Sequence, residues 1–182
     1  MKGRILRFAA ALACVLCASS QLEAQSTRLF LGGGVGIPLG SYDDLVKAGP
    51  QITAGVSFQP RNPLLAIQLD ANYARFADET PLDVAIQLIY GTVSARYRFS
   101  SAPGARFQPY LIGGLGVYDR KTTGDDVFSD NSSTDLGSNL GAGFDIKAGP
   151  TTVFFDARWH NVFLAGDNLK MLPLTLGIRF GG

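Results

Sequence analysis

His160 is the only histidine in this chain of 182 residues, and the two cysteines, Cys14 and Cys17, both lie near its start. A dedicated transition-metal site is built from several imidazole or thiolate ligands at set spacings, so none is expected and no cofactor is implied. Asp125, Asp126, Asp130 and Asp135, with Ser129, Ser132 and Ser133, could offer oxygen ligands to a divalent cation. They lack the glycine and terminal glutamate of a calcium loop and read as a solvated acidic connection. Gly32-Gly33-Gly34-Val35-Gly36 has the composition of a phosphate cradle, but no helical pattern follows it, and the cradle needs a helix N-terminus. What remains is a scattered set of ionic residues, Asp70, Arg96, Arg98, Asp145, Lys147, Asp156, Arg158, His160 and Arg179, all but His160 flanked on both sides by apolar neighbours. Their chemistry depends on which way the backbone points them.

The elements that carry them alternate apolar and polar residues with a period of two, the pattern of strands. Leu136, Leu140, Ala142, Phe144 and Ile146 form one face of such a run, against Asp135, Asn139, Asp145 and Lys147 on the other. Leu65, Ile67, Leu69, Ala71 and Tyr73 alternate in the same way with Gln68, Asp70 and Asn72, and Val153, Phe155, Ala157 and Trp159 with Thr152, Asp156, Arg158 and His160. Eight segments of this kind are predicted near residues 27–37, 51–58, 64–76, 84–99, 107–118, 134–147, 151–163 and 170–180. The separators alternate in length: those around 59–63, 100–106 and 148–150 are short, whereas 38–50, 77–83, 119–133 and 164–169 are on the whole longer.

The first residues read as an export signal. Lys2, Arg4 and Arg7 precede an apolar stretch from Phe8 to Ala18, and Leu22-Glu23-Ala24 suits cleavage before Gln25. Two regions are therefore expected, a leader over 1–24 and a single domain over 25–182. The formal net charge of +1 gives no basic surplus for nucleic acid. A chain that crosses hydrocarbon must satisfy every backbone N–H and C=O internally, which helices and closed barrels alone achieve. Eight alternating strands with short turns at one end and longer loops at the other match an all-β, eight-stranded antiparallel up-and-down transmembrane β-barrel of the bacterial outer membrane. In that topology the long separators are external. The aromatics Phe58, Tyr97, Phe99, Phe107 and Phe180 fall near the periplasmic rim, and Tyr73 and Trp159 towards the external one.

The ionic set then points into a lumen just wide enough for side chains to fill, which predicts a paired polar plug. Gly32, Gly34, Gly36, Gly114, Gly116, Gly141 and Gly143 would give room for long arginines.

Leu174-Thr175-Leu176-Gly177-Ile178-Arg179-Phe180 resembles the closing strand of bacterial outer membrane β-barrels, with Gly181-Gly182 following where many members stop at the aromatic. Gly34 to Gly40 and Leu136 to Lys147 also look like this family, and the likeness is greatest to the small OmpA/OmpX-like and opacity-type surface barrels. The resemblance implies that Leu174, Leu176, Gly177, Ile178 and Phe180 carry the signal read by the barrel assembly machinery. It also implies contact with outer membrane lipids and a structural or surface role in which external loops meet any extracellular ligand. One eight-stranded relative, a lipid A deacylase, has a histidine followed two residues later by a nucleophilic serine. His160-Asn161-Val162 places valine there, and a hydrocarbon cannot attack an ester, so no enzyme is expected. Two alternatives stand beside the structural reading: a narrow gated pore for ions or small solutes, and a soluble lipocalin-like carrier in which the oily face turns inward.

Overall fold

The computed structural model describes residues 26–40, 47–60, 62–77, 85–99, 105–123, 132–164 and 166–181. The leader assigned to 1–24 lies outside the described residues, as do Asp125, Asp126, Ser129 and Asp130 of the acidic connection. Eight strands follow one another: β1 (Ser26–Leu39), β2 (Gly49–Gln59), β3 (Leu65–Ala77), β4 (Ala85–Arg98), β5 (Phe107–Thr123), β6 (Ser132–Ala148), β7 (Thr151–Val162) and β8 (Leu169–Phe180). Each pairs with its sequence neighbours, and β1 pairs antiparallel with β8, from Leu29 opposite Phe180 to Leu39 opposite Lys170. The sheet is thereby a closed barrel with no free edge. The start of β1 and the end of β8 lie at one end, here the terminal end; the β1–β2, β3–β4, β5–β6 and β7–β8 connections leave the other, the loop end.

Local chemistry explains the tight closures at the terminal end. Between β6 and β7 only Gly149 and Pro150 intervene, since Ala148 pairs with Thr151. Gly149 takes φ +64°, which a side chain would strain, and proline supplies the negative φ that follows, the order of a type II′ hairpin. Leu64 N–H donates to Asn62 Oδ1 at 2.9 Å in the β2–β3 turn, a short-range bond typical of asparagine in turns.

β5 and β6 run past the limits that hydrophobic alternation suggested, to Thr123 and back to Ser132. Their extra pairs, Asp119–Thr134, Arg120–Ser133 and Lys121–Ser132, are polar on both faces, so the ladder continues after the apolar pattern has ended. Side-chain bonds help to hold this extension, with Thr134 Oγ1 donating to Asp119 at 3.2 Å. The β7–β8 ladder is interrupted, by contrast, at Arg158 and Trp159. Their register partners include Pro173, which has no N–H to give.

The outside of the barrel is oily. Leu31, Ile52, Ile89, Leu115, Leu136, Leu140 and Leu176 are among its most exposed side chains, Leu115 at 68%. Asp70, Arg96, Asp145, Asp156, Arg158 and Arg179 are buried within. An inverted barrel with an oily calyx and a charged exterior, as a soluble carrier would need, is not the arrangement adopted.

Candidate functional site

Alternation fixes which side chains share the lumen. Asp70 on β3, Arg96 and Arg98 on β4, Asp145 on β6, Asp156, Arg158 and His160 on β7, and Arg179 on β8 all fall on the inward phase and are buried. Lys147 shares that phase but lies one pleat beyond Asp145, at the end of β6, and is exposed. The lumen assignment for Lys147 is therefore corrected: it is still paired with Thr152, but it stands at the mouth of the barrel, where its side chain is open to solvent.

Two carboxylate–arginine clusters occupy the interior. In the first, Arg158 Nη1 donates to Asp70 at 3.1 Å and its Nη2 to Asp156 at 3.0 Å, joining β7 to β3 across the lumen. Asn72 and Thr92 complete the Asp70 shell at 2.7 and 2.9 Å. In the second, Asp145 accepts from Arg96 Nη1 at 2.8 Å and from Arg179 Nε at 3.2 Å. Gln68 links the clusters, donating to Asp70 at 3.2 Å and accepting from Arg179 at 3.1 Å. Tyr110 forms a second bridge, with its hydroxyl donating to Asp156 at 3.3 Å and accepting from Arg179 at 3.4 Å. Arg98 stands apart from the carboxylates, bonding Gln108 at 3.3 Å and the Pro63 carbonyl. A buried charge deprived of its partner costs several kcal/mol, so each carboxylate holds its arginines in a single arrangement.

Sequence reasoning missed the lumen aromatics. Arg179 lies 4.2 Å from the Phe154 ring centroid and 5.0 Å from that of Phe30, and Arg96 lies 4.9 Å from Tyr110, so the guanidinium faces rest on π-systems while their edges bond to Asp145. The inward glycines mainly seat these rings. A Cβ on Gly143 would come 2.6 Å from Tyr110, one on Gly55 2.5 Å from Phe30, and one on Gly177 2.4 Å from Phe154. Gly141 does lie under an arginine, 2.9 Å from Arg158 Cγ, but the expectation that the glycines chiefly make room for arginine is corrected. Glycines in phase with an aromatic on the adjacent strand were the available signal, legible only once the register is known.

Towards the loop end the lumen turns apolar. Ala74, Phe76, Leu88, Tyr90, Tyr118, Val162, Leu169 and Met171 form one buried cluster. His160 sits beneath it, with Nδ1 2.7 Å from the Tyr118 hydroxyl, and Tyr90 stacks on Tyr118 at 5.1 Å. Val162, at the position where the deacylase motif has its serine, is 2% exposed and packed into this cluster. Between ions and lid, Gln51, Thr53, Asn72, Tyr90, Arg158 and His160 line a cavity of about 10 Å³, the order of a single water. Among the described residues no group of three or more His, Cys, Asp or Glu is placed to hold a metal.

The predicted rim aromatics lie on the outward face. Tyr97, Phe99, Phe107 and Phe180 are 42–57% exposed near the terminal end, Phe58 is half-buried there, and Trp159 at 40% and the half-buried Tyr73 lie towards the loop end. Phe163, 48% exposed, joins Trp159 at the loop end and was not anticipated. Of the closing-strand residues, Leu174, Leu176, Ile178 and Phe180 point outward, while Gly177 lies inside against Phe154.

The family model for the outer membrane protein beta-barrel domain matches residues 8–180. No curated protein matches. Among solved structures, Neisserial surface protein A (NspA) is similar at 16% identity, with a TM-score of 0.68 over 88% of this chain and 100% of that one. A major outer membrane protein from Thermus thermophilus is similar at 14% identity, with a TM-score of 0.63 over 88% and 100%. The outer membrane enzyme PagL is similar at 19% identity, with a TM-score of 0.51 over 86% and 99%. At such identities the likeness shows the fold alone, and the same fold carries both enzymes and other barrels.

Proposed function

Because the chain belongs to the outer membrane protein β-barrel domain family, and so to the bacterial outer membrane, we propose that it is a non-enzymatic, non-conducting barrel that acts structurally and by surface contact. The observation that carries this reading is the double arginine clamp: Asp70 and Asp156 share Arg158, and Asp145 holds Arg96 and Arg179, which spans the lumen with bonded side chains. In this reading the clamp and the apolar cluster beyond it close the lumen to solutes.

The long loops face outward in this reading and the terminal end faces the periplasm, as in barrels with short periplasmic turns. Contact with an extracellular ligand then belongs to the loops, whose sequences vary most easily without disturbing the ladder. His160 acts as a lumen residue: its nearest hydroxyl is the Tyr118 phenol, and Val162 offers no nucleophile. The leader directs export, and the closing strand ending in Phe180 meets the barrel assembly machinery during insertion.

Planar bilayers test the proposal. The refolded protein should add no discrete conductance steps, while retaining the heat-modifiable gel migration of a closed barrel. Reproducible steps from the wild type, altered by Arg158→Gln, would replace this reading with the gated pore, since Arg158 is the bridge that would have to open.

A further inference from the structure

Charge is distributed very unevenly along the barrel axis. The connections at the terminal end, residues 60–64, 99–106 and 149–150, contain no aspartate or glutamate. The acidic residue nearest that end in the described strands is Asp145, already shared by Arg96 and Arg179. The inward phase nonetheless brings further cations to the same mouth. Arg28 lies on it in β1, next to the outward Leu29, and Arg98 lies on it at the end of β4. Gln108 and Asp145 are register partners, and one pleat further out Arg106 stands opposite Lys147, whose N–H donates to the Arg106 carbonyl at 2.9 Å. Arg28 is half-buried, whereas Arg106 and Lys147 are exposed at the rim. None of Arg28, Arg98, Arg106 and Lys147 forms an ion pair with a described carboxylate.

Arg98 is 6% exposed, yet its partners are neutral: the Gln108 amide oxygen at 3.3 Å, long for an N–H···O bond, and the Pro63 carbonyl. Its Nε is buried with no hydrogen-bond partner among the described residues, and so is that of Arg28. The charges that act on Arg98 are those of Arg28, Asp145 and Arg179, so the one carboxylate is outnumbered by like charges. A covered guanidinium is costly without a counter-charge of its own, and no described residue supplies one. Arg98 is the last residue of β4, beside open water, so the counter-charge can come from solvent. Below it the lumen is closed by the Asp145 clamp, which limits the occupant to a compact group. Guanidinium forks match a tetrahedral oxyanion, whose oxygens accept bonds from several directions at once. A lipid is held off by its chains, which stay on the oily outer wall, and a peptide is too wide for a lumen that side chains fill.

We propose that Arg98 and Arg28, with Arg106 and Lys147 at the rim, form a binding site for a compact, water-soluble phosphate-type oxyanion at the terminal mouth of the barrel. The oxyanion replaces Gln108 on Arg98, accepts the Nε–H bonds that the protein leaves unmade, and relieves the repulsion between Arg98 and Arg28. The rim cations raise its concentration at the opening. Entry ends at the Asp145 clamp, so the site binds without conducting. That the mouth opens to the periplasm rests on the loops-outward reading above; the site itself rests on the inward side chains.

Inorganic pyrophosphate is the probe, titrated by calorimetry into the protein refolded in an uncharged detergent. The wild type should bind it in preference to chloride at matched ionic strength, and Arg98→Gln should weaken binding by about tenfold. The rim variant Arg106→Gln/Lys147→Gln, whose side chains are exposed, should weaken it by about threefold. The loop-end control Arg75→Gln/Lys170→Gln carries the same change of charge and should bind as the wild type does. The rim variant and its control carry the test if Arg98→Gln does not fold. No binding by the wild type, undiminished binding by Arg98→Gln, or an equal loss in the control would each overturn the site. So would displacement of pyrophosphate by phosphatidylglycerol in the micelle, or by an acidic peptide, more effectively than by soluble glycerol phosphate. Heat-modifiable migration, run in parallel, reports the closed barrel separately, so failure of the anion site and failure of the barrel reading are distinguishable.

Discussion

The two halves of the lumen are built on opposite principles. In the half nearer the termini, Asp145 gathers Arg96 and Arg179, whose faces rest on Tyr110, Phe30 and Phe154. In the half nearer the loops, Phe76, Leu88, Tyr90, Tyr118, Val162 and Met171 pack as an ordinary apolar core. The first is held by directional bonds that fix every partner; the second by contact area that tolerates some rearrangement. A transmembrane barrel cannot place its hydrophobic core wholly inside, because its outer wall must also be oily, so interior order is left to whatever the inward phase supplies. Here charge supplies it in the middle and near one end, and packing at the other.

The largest effect should come from the ionic half. Asp145→Ala strands two buried guanidiniums and should destabilise the barrel by about 3–5 kcal/mol, read from urea unfolding in lipid vesicles. A loss under about 1 kcal/mol would mean that water or ions reach the cluster and that it is not a dry clamp. Leu88→Ala, in the apolar half, should cost about 2–4 kcal/mol through its cavity, and it should loosen the loop end while leaving the ionic half protected in hydrogen exchange. Protection lost equally throughout would show one cooperative lumen instead of two. A smaller change follows from Tyr118→Phe, which deletes the hydroxyl beside His160 and should cost about 1 kcal/mol by the same unfolding assay. Lys147→Gln should fall within about 0.5 kcal/mol of wild type, since that side chain is exposed and outside both halves.

The fold was legible in the sequence because a period of two, repeated eight times, leaves little freedom: runs such as Leu65–Tyr73 and Leu172–Phe180 declare both strand and face. Strand ends were less so. The polar continuation of β5 and β6 carries no apolar signal, and its ladder extends without one. Within the lumen, parity brings Asp70, Arg96, Asp145, Asp156, Arg158 and Arg179 onto one face from the sequence alone, but not their pairing. Which carboxylate meets which arginine depends on register and depth across eight strands, information no single segment contains. Phe154 shows the same limit: it sits in a run read for its outer face, and only Gly177 on the adjacent β8 and Gly32 on β1 beyond it mark it as an interior ring. Lys147 erred in the other direction, its phase being readable and its depth not.

The proposed reading rests on one division, hydrocarbon against the outward phase and a bonded, water-poor interior on the inward one. Both natural cysteines, Cys14 and Cys17, lie in the predicted leader, so single cysteines can be placed in the barrel without competition. Leu115→Cys, on the outward face, and Ser94→Cys, which is 2% exposed in the wild type, can each be tested with a fluorescent maleimide in vesicles containing brominated lipid. The label at position 115 should attach and be quenched by the bromines, while position 94 should stay unreactive until the barrel is boiled in detergent. Lipid quenching at 94, with position 115 unreactive or insensitive to bromine, would contradict that division.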